Sequence, residues 1–110
     1  MTNRIEDFII YATKYGGAIE QGDHKLANKF HGKLMAMYPF IREEGRFDQM
    51  IDLTKSTNEN IKLWAATFLL RTNEEVALKA LNELKLSPAI TGLTASTTID
   101  LWKKGLLRFS

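Results

Sequence analysis

"NENIKLWAATFLLRTNEEVALKAL", residues 58–81, sets two helical patterns end to end, each behind a polar turn. In the first, Ile61, Trp64, Ala65, Phe68 and Leu69 recur at helical spacing, while Leu63, Ala66 and Leu70 cover the other side. An amphipathic surface helix carries one apolar stripe, whereas a helix that is apolar all round is buried on more than one side. This helix therefore belongs at the centre of the fold. The same periodicity makes Trp64 a core residue rather than a partner anchor, and Trp64→Ala is expected to cost about 3–5 kcal/mol. Downstream, Thr72 and Glu75 have the spacing of a capping box, worth about 1 kcal/mol. Val76, Ala77, Ala80, Leu81 and Leu84 are then the inward stripe of the next helix.

Working toward the N-terminus, "KSTNEN" separates this pair from a short helix over Arg46–Lys55, with Phe47, Met50, Ile51 and Leu53 apolar. Before it, Asp23 caps a helix whose stripe is Leu26, Phe30, Leu34 and Met37, widened by Ala27 and Tyr38. Pro39 lacks a backbone donor and disfavours the helical conformation of Tyr38, so this helix is expected to end there. The first helix begins near Asn3, with Glu6 completing a capping pair. It buries Ile5, Phe8, Ile9, Ala12, Tyr15, Gly16 and Ile19 and stops at Gly22 in a left-handed conformation. Gly16 and Gly17 allow a close helix approach or a kink. Toward the C-terminus, "KLSPAITG" is a connector, and a last helix runs from Leu93 to Lys104 with Ala95, Ile99 and Trp102 inward, ending at Gly105. No segment alternates with period two. The expectation is an all-α domain spanning residues 1–110, with about six helices in stacked antiparallel hairpins.

An internal register supports the stacking. Shifting the third and fourth helices by roughly thirty residues lays Met50 on Leu81, Leu53 on Leu84, Trp64 on Ala95 and Phe68 on Ile99. The opposite shift lays Ile61 on Phe30, Ala65 on Leu34 and Phe68 on Met37. Hairpins that bury a face against their neighbours need such a recurring register. "ENIKLWAATFLL", with Ile61, Lys62, Ala65 and Ala66, resembles the second helix of a HEAT-type repeat. The order "LANKFHGKL", "KLWAATFLL", "EEVALKALNEL", "TTIDLWKKG" resembles a family of small bacterial HEAT-like domains of unknown function, from the second helix to Gly105. That resemblance implies a right-handed α-solenoid. Because many members are encoded near toxin genes, it also implies a possible immunity role. It supplies no catalytic residues.

The composition narrows the chemistry. With no cysteine there is neither a disulfide framework nor a thiolate metal site, which favours a reducing compartment. The first residues carry no signal peptide, and the longest apolar run, Leu63–Leu70, is far short of a membrane span. The chain is read as cytoplasmic. His24 and His31 lie seven positions apart, two turns of helix and too far for shared ligation, so they read as surface histidines and no metal is expected. "KYGGAIEQG" follows no strand and is not a phosphate loop. No nucleophile is placed beside a base, no cofactor is implied, and the reading is of a protein without catalysis.

What remains is surface. Lys25, Lys29 and Lys33 form a ladder at helical spacing, with Asn28 and Gly32 beside it, and Lys103, Lys104 and Arg108 form a second basic cluster. Charge runs of this kind usually mean solvation. The functional reading is a basic ridge for an acidic protein or a phosphate backbone. The net charge of +2 is small for a nucleic-acid binder, so the expected partner is a protein, with nucleic acid the alternative. Leu78, Leu101 and Leu107 are candidates for an exposed patch, giving a monomer or a weak homodimer.

Overall fold

The structure is a computed structural model that describes residues 4–107. Asn3 and Arg108, which enter the sequence reading, lie outside the described residues. Six helices follow one another: α1 (Arg4–Glu20), α2 (His24–Glu43), α3 (Phe47–Leu53), α4 (Glu59–Leu69), α5 (Glu74–Leu84) and α6 (Ile90–Lys103). The described residues contain no strand, and the fold is all-α.

Local chemistry sets the first boundary as the sequence suggests. Gly22 has φ +70°, which lets its N–H donate to the Ile19 carbonyl at 3.1 Å and that of Asp23 to Ala18 at 2.9 Å. The last carbonyls of α1 are thereby satisfied. The Asp23 carboxylate then accepts the Leu26 N–H at 3.0 Å and starts α2.

α2 does not stop at Tyr38; it passes through Pro39 and ends at Glu43. Pro39 is on the exposed side, where its ring meets solvent and one backbone bond is lost, at a cost of about 3 kcal/mol. Continuing the helix buries Ile41 completely, which by itself returns about 1.5–3 kcal/mol. It also sets Phe40 under the Arg4 guanidinium at 4.3 Å and Glu44 against Arg4 at 2.7 Å. The hydrogen bond from Arg46, together with the charge of Arg46 and Arg4, holds the Glu44 carboxyl below its usual range against an opposing desolvation. The corner turns at Gly45, with φ +66°, and α3 follows, shorter than expected, with Met50 as its buried residue.

α4 occupies the centre. Seven of its eleven residues are buried, and it packs against α1, α3, α5 and α6. Asn58 caps it by accepting the N–H groups of Asn60 and Ile61 at 2.9 and 3.2 Å. Phe68 is fully buried, with the rings of Phe8 at 5.2 Å, Tyr38 at 5.3 Å and Trp64 at 6.3 Å. Cross-helix contacts give the directions. Arg4 meets Glu44 while Tyr11 meets Phe30, so α1 and α2 are antiparallel. Lys62 meets Glu83 near the opposite ends of α4 and α5, and Trp102 meets Glu74 across α6 and α5.

α1 approaches α4 closely at Gly16, where a Cβ would sit 2.5 Å from Asn60 Cγ; Gly17 faces open space. Gly16→Ala is therefore expected to lower stability by about 1–3 kcal/mol, and Asn60→Ala should relieve most of that loss. Urea unfolding of the two single variants and the double variant measures the coupling. Simple additivity would show that the two side chains do not share this space.

Two helix starts differ from the sequence reading. The Thr72–Glu75 capping box does not form, because the N-cap of α5 is Asn73 and no side chain caps it. The Asn73 N–H is committed to the Leu69 carbonyl at 2.7 Å, which carries the turn one residue further, and the neighbouring Glu74 instead accepts Trp102 Nε1 at 2.7 Å. α6 begins at Ile90 rather than Leu93. Its first turn is anchored by Glu59, whose Oε1 accepts the Ser87 hydroxyl at 3.0 Å and the Thr91 hydroxyl at 2.6 Å. Trp102 is half-buried. Leu78 and Leu107 pack against the core and Leu101 is half-buried, so they do not make an exposed patch. The exposed large apolar side chains include Leu86, Ile90 and Leu93 instead.

Candidate functional site

Lys25, Asn28, Lys29 and Lys33 all emerge exposed from α2. The opposite side of the same helix buries Ala27, Phe30, Leu34 and Met37, so the apolar stripe forces the lysines outward. α1 brings a fourth ammonium to them. Lys14 Nζ and Lys29 Nζ each lie 5.8 Å from the centroid of the Phe30 ring, and Lys33 Nζ lies 5.5 Å from the Tyr11 ring. The two rings are 6.0 Å apart. Such contacts are worth about 0.5–1 kcal/mol each at exposed sites. They lay the aliphatic stems along the aromatic edges and leave the charged ends in water.

Asp23 lies beside Lys25 and Lys29 at one end of the ridge, with its carboxylate engaged by the Leu26 N–H. Among the described residues, none of these four lysines makes an ion pair, while Arg4, Arg46, Lys62 and Lys104 all do. Lysines four apart on a helix repel by about 0.2–0.5 kcal/mol per pair, and this ladder has two such pairs. The three ring contacts outweigh that repulsion, so the fold itself holds the ladder in place. Phe30 is only 7% exposed, so it supports the ammoniums from below and offers no face for stacking.

Compared with protein-family models, curated proteins and solved structures, the chain matches none.

The other candidate residues separate from the ridge. Lys103 and Lys104 sit at the C-terminal end of α6, exposed, with Lys104 Nζ on Asp100 at 3.2 Å. That cluster is a helix end with favourable charge, partly neutralised within its own helix. His24 and His31 are both exposed, and His31 packs edge-on against Trp64, with centroids 5.4 Å apart. No group of three or more metal-ligating side chains occurs among the described residues, and none of their helices is long and apolar enough to cross a membrane.

A groove of about 390 Å³ runs between the C-terminal half of α1 and the first turns of α4 and α6. Its most conspicuous polar group, Glu59, is already engaged by Ser87 and Thr91, so it is a brace between two helix starts. The ridge is the surface where lysine charges gather on one helix face with aromatic rings beneath them. Lys14 and Tyr11 complete it, and the periodicity of α1 gives them no special place. Only the rotation of α1 against α2 brings them alongside Phe30.

Proposed function

We propose that the chain is a cytoplasmic, non-catalytic protein-binding module that docks an acidic protein surface on the face of Lys14, Lys25, Lys29 and Lys33. The observation that carries this reading is the four-lysine ridge, whose lysines make no ion pair among the described residues. An acidic partner would relieve the repulsion between these lysines and draw steering and specificity from their charge. The helices form a HEAT-like right-handed stack of hairpins in this proposal, and the antiparallel pairs α1/α2, α4/α5 and α5/α6 support it. The family resemblance of "LANKFHGKL" through "TTIDLWKKG" suggests the kind of partner: a toxin that the module neutralises by occlusion.

The test is capture from the native host by the tagged chain, alongside the triple variant Lys25→Glu, Lys29→Glu, Lys33→Glu, with lysates treated with nuclease. A protein held by the unaltered chain, released by salt and lost from the triple variant supports the proposal. Equal capture by both chains contradicts it. Material that disappears with nuclease would transfer the ridge to nucleic acid, whose binding weakens steeply with salt.

A stability measurement separates function from folding. Lys29→Glu replaces two repulsive i, i+4 pairs by two attractive ones, worth about 0.8–2 kcal/mol, and loses the contact with the Phe30 ring, worth about 0.5–1 kcal/mol, so it is expected to leave stability unchanged or raise it by up to about 1.5 kcal/mol while abolishing partner binding. Chemical denaturation reads the first effect and capture the second. A destabilised variant would show that Lys29 is held by contacts other than those described.

A further inference from the structure

Residues 86–99, "LSPAITGLTASTTI", hold no Asp, Glu, Lys, Arg or His, the longest such run in a chain whose charged residues make up 25%. The segment covers the turn after α5 and most of α6. α6 packs against α5 and α4 and buries Thr91, Gly92, Ala95, Thr98 and Ile99. Its other side carries Ile90, Leu93, Ser96 and Thr97 to solvent, with Leu86 exposed in the turn before it. Leu86 is 83%, Leu93 72% and Ile90 54% exposed. A solvated helix face normally carries charged and polar side chains. Here the charges stand at the border instead. Glu20 of α1 shares a groove with Ile90, and Asp100, Lys103 and Lys104 follow at the C-terminal end of α6. An apolar centre depleted of charge, inside a charged rim, is the make-up of a protein interface.

We propose that this face of α6 docks a second copy of the chain, in a two-fold symmetric pair whose α6 helices cross antiparallel at Leu93. Charge complementarity argues for that occupant. An uncharged face is matched by an uncharged face, and the chain itself carries one. Two copies that met through α2 would set lysine ridge against lysine ridge, whereas residues 86–99 of two copies bring no like charges together. The side-chain sizes agree with the same symmetry. A two-fold contact sets each residue opposite its counterpart on the reversed helix. About Leu93, Ile90 then faces Ser96 of the second copy and Thr97 faces Ala89 of the second copy, so each larger side chain meets a smaller one. The charged end of each α6 points away from the axis. The lysine ridge takes no part, so the pair stands or falls separately from the proposed function.

The contact is small, so the pair is expected to be weak, with a dissociation constant on the order of 100 µM. Sedimentation velocity of the full chain from about 5 µM to about 1 mM should therefore pass from monomer toward dimer. Leu93→Glu sets two carboxylates against each other at the axis and should weaken association at least about tenfold. Ile10→Glu is the matched control. Ile10 is an exposed apolar residue of α1, and its replacement changes the net charge by the same amount, so association should be unchanged. Sodium sulfate should strengthen the pair, as it does apolar burial, whereas contacts made through the lysine ridge would weaken as salt rises. A chain that stays monomeric up to about 1 mM would overturn the proposal. So would a dimer that survives Leu93→Glu, one lost equally with Ile10→Glu, or one that sulfate dissociates. The concentration and sulfate series on the unaltered chain need no variant to fold.

Discussion

Phe68→Ala is expected to lower the unfolding free energy by about 3–5 kcal/mol, the range for removing a large aromatic from a packed core. Phe68 is fully buried on the central helix, and the rings of Phe8, Tyr38 and Trp64 touch it from α1, α2 and α4. Three aromatic side chains packed around this residue are too rigid to slide into the vacated volume, so the site should collapse poorly. For a domain whose total stability is about 5–15 kcal/mol, this is a large fraction, and the urea midpoint should fall with little change in slope. Leu86→Ala is the control: Leu86 is 83% exposed, and its replacement should stay within about 0.5 kcal/mol. A loss below about 1 kcal/mol for Phe68→Ala would place the core elsewhere.

Gly92→Ala is expected to destabilise, by about 1–3 kcal/mol, against the direction that helix propensity dictates. Alanine inside a helix is ordinarily better than glycine by up to about 1 kcal/mol. At Gly92 a Cβ would run into the Ser87 carbonyl, 3.1 Å from its carbon, and lie 3.3 Å from the Leu84 carbonyl oxygen. These are backbone atoms of the turn that joins α5 to α6. They cannot rotate away, so the turn itself must move and loosen the Glu59 brace to Ser87 and Thr91. Gly32→Ala on α2 is the matched comparison, because its Cβ would meet nothing within 4 Å; that change should be neutral or stabilising. Thermal unfolding of both variants checks the pair of opposite signs. A stabilised Gly92→Ala would mean that α6 does not lie this close to the end of α5.

The central place of α4 was legible because an all-round apolar helix has no other stable location, and the boundary at Gly22 and Asp23 because both residues act locally. Pro39 misleads for the opposite reason. Its preference is local, while the burial of Ile41 that overrides it depends on helices distant in sequence. Thr72 and Glu75 have the right spacing for a box, yet the preceding turn closes one residue later than the box requires. In the candidate site the spacing of Lys25, Lys29 and Lys33 is plain in the sequence, since one helix fixes it. Lys14 is not, because no periodicity reveals how α1 is rotated against α2. That the Trp64 indole N–H has no hydrogen-bond partner among the described residues is invisible for the same reason: periodicity places the ring inward but says nothing of what its nitrogen meets.

The lysine ridge can be examined without substituting any residue. Reductive methylation of the free and the partner-bound chain, read by mass spectrometry, reports the accessibility of every lysine in the binding state. Protection of Lys14, Lys25, Lys29 and Lys33 is expected on partner binding, with Lys55, Lys79 and Lys85 still reactive. Protection confined to Lys103 and Lys104, with the α2 lysines as reactive as in the free chain, would contradict the ridge as the binding face.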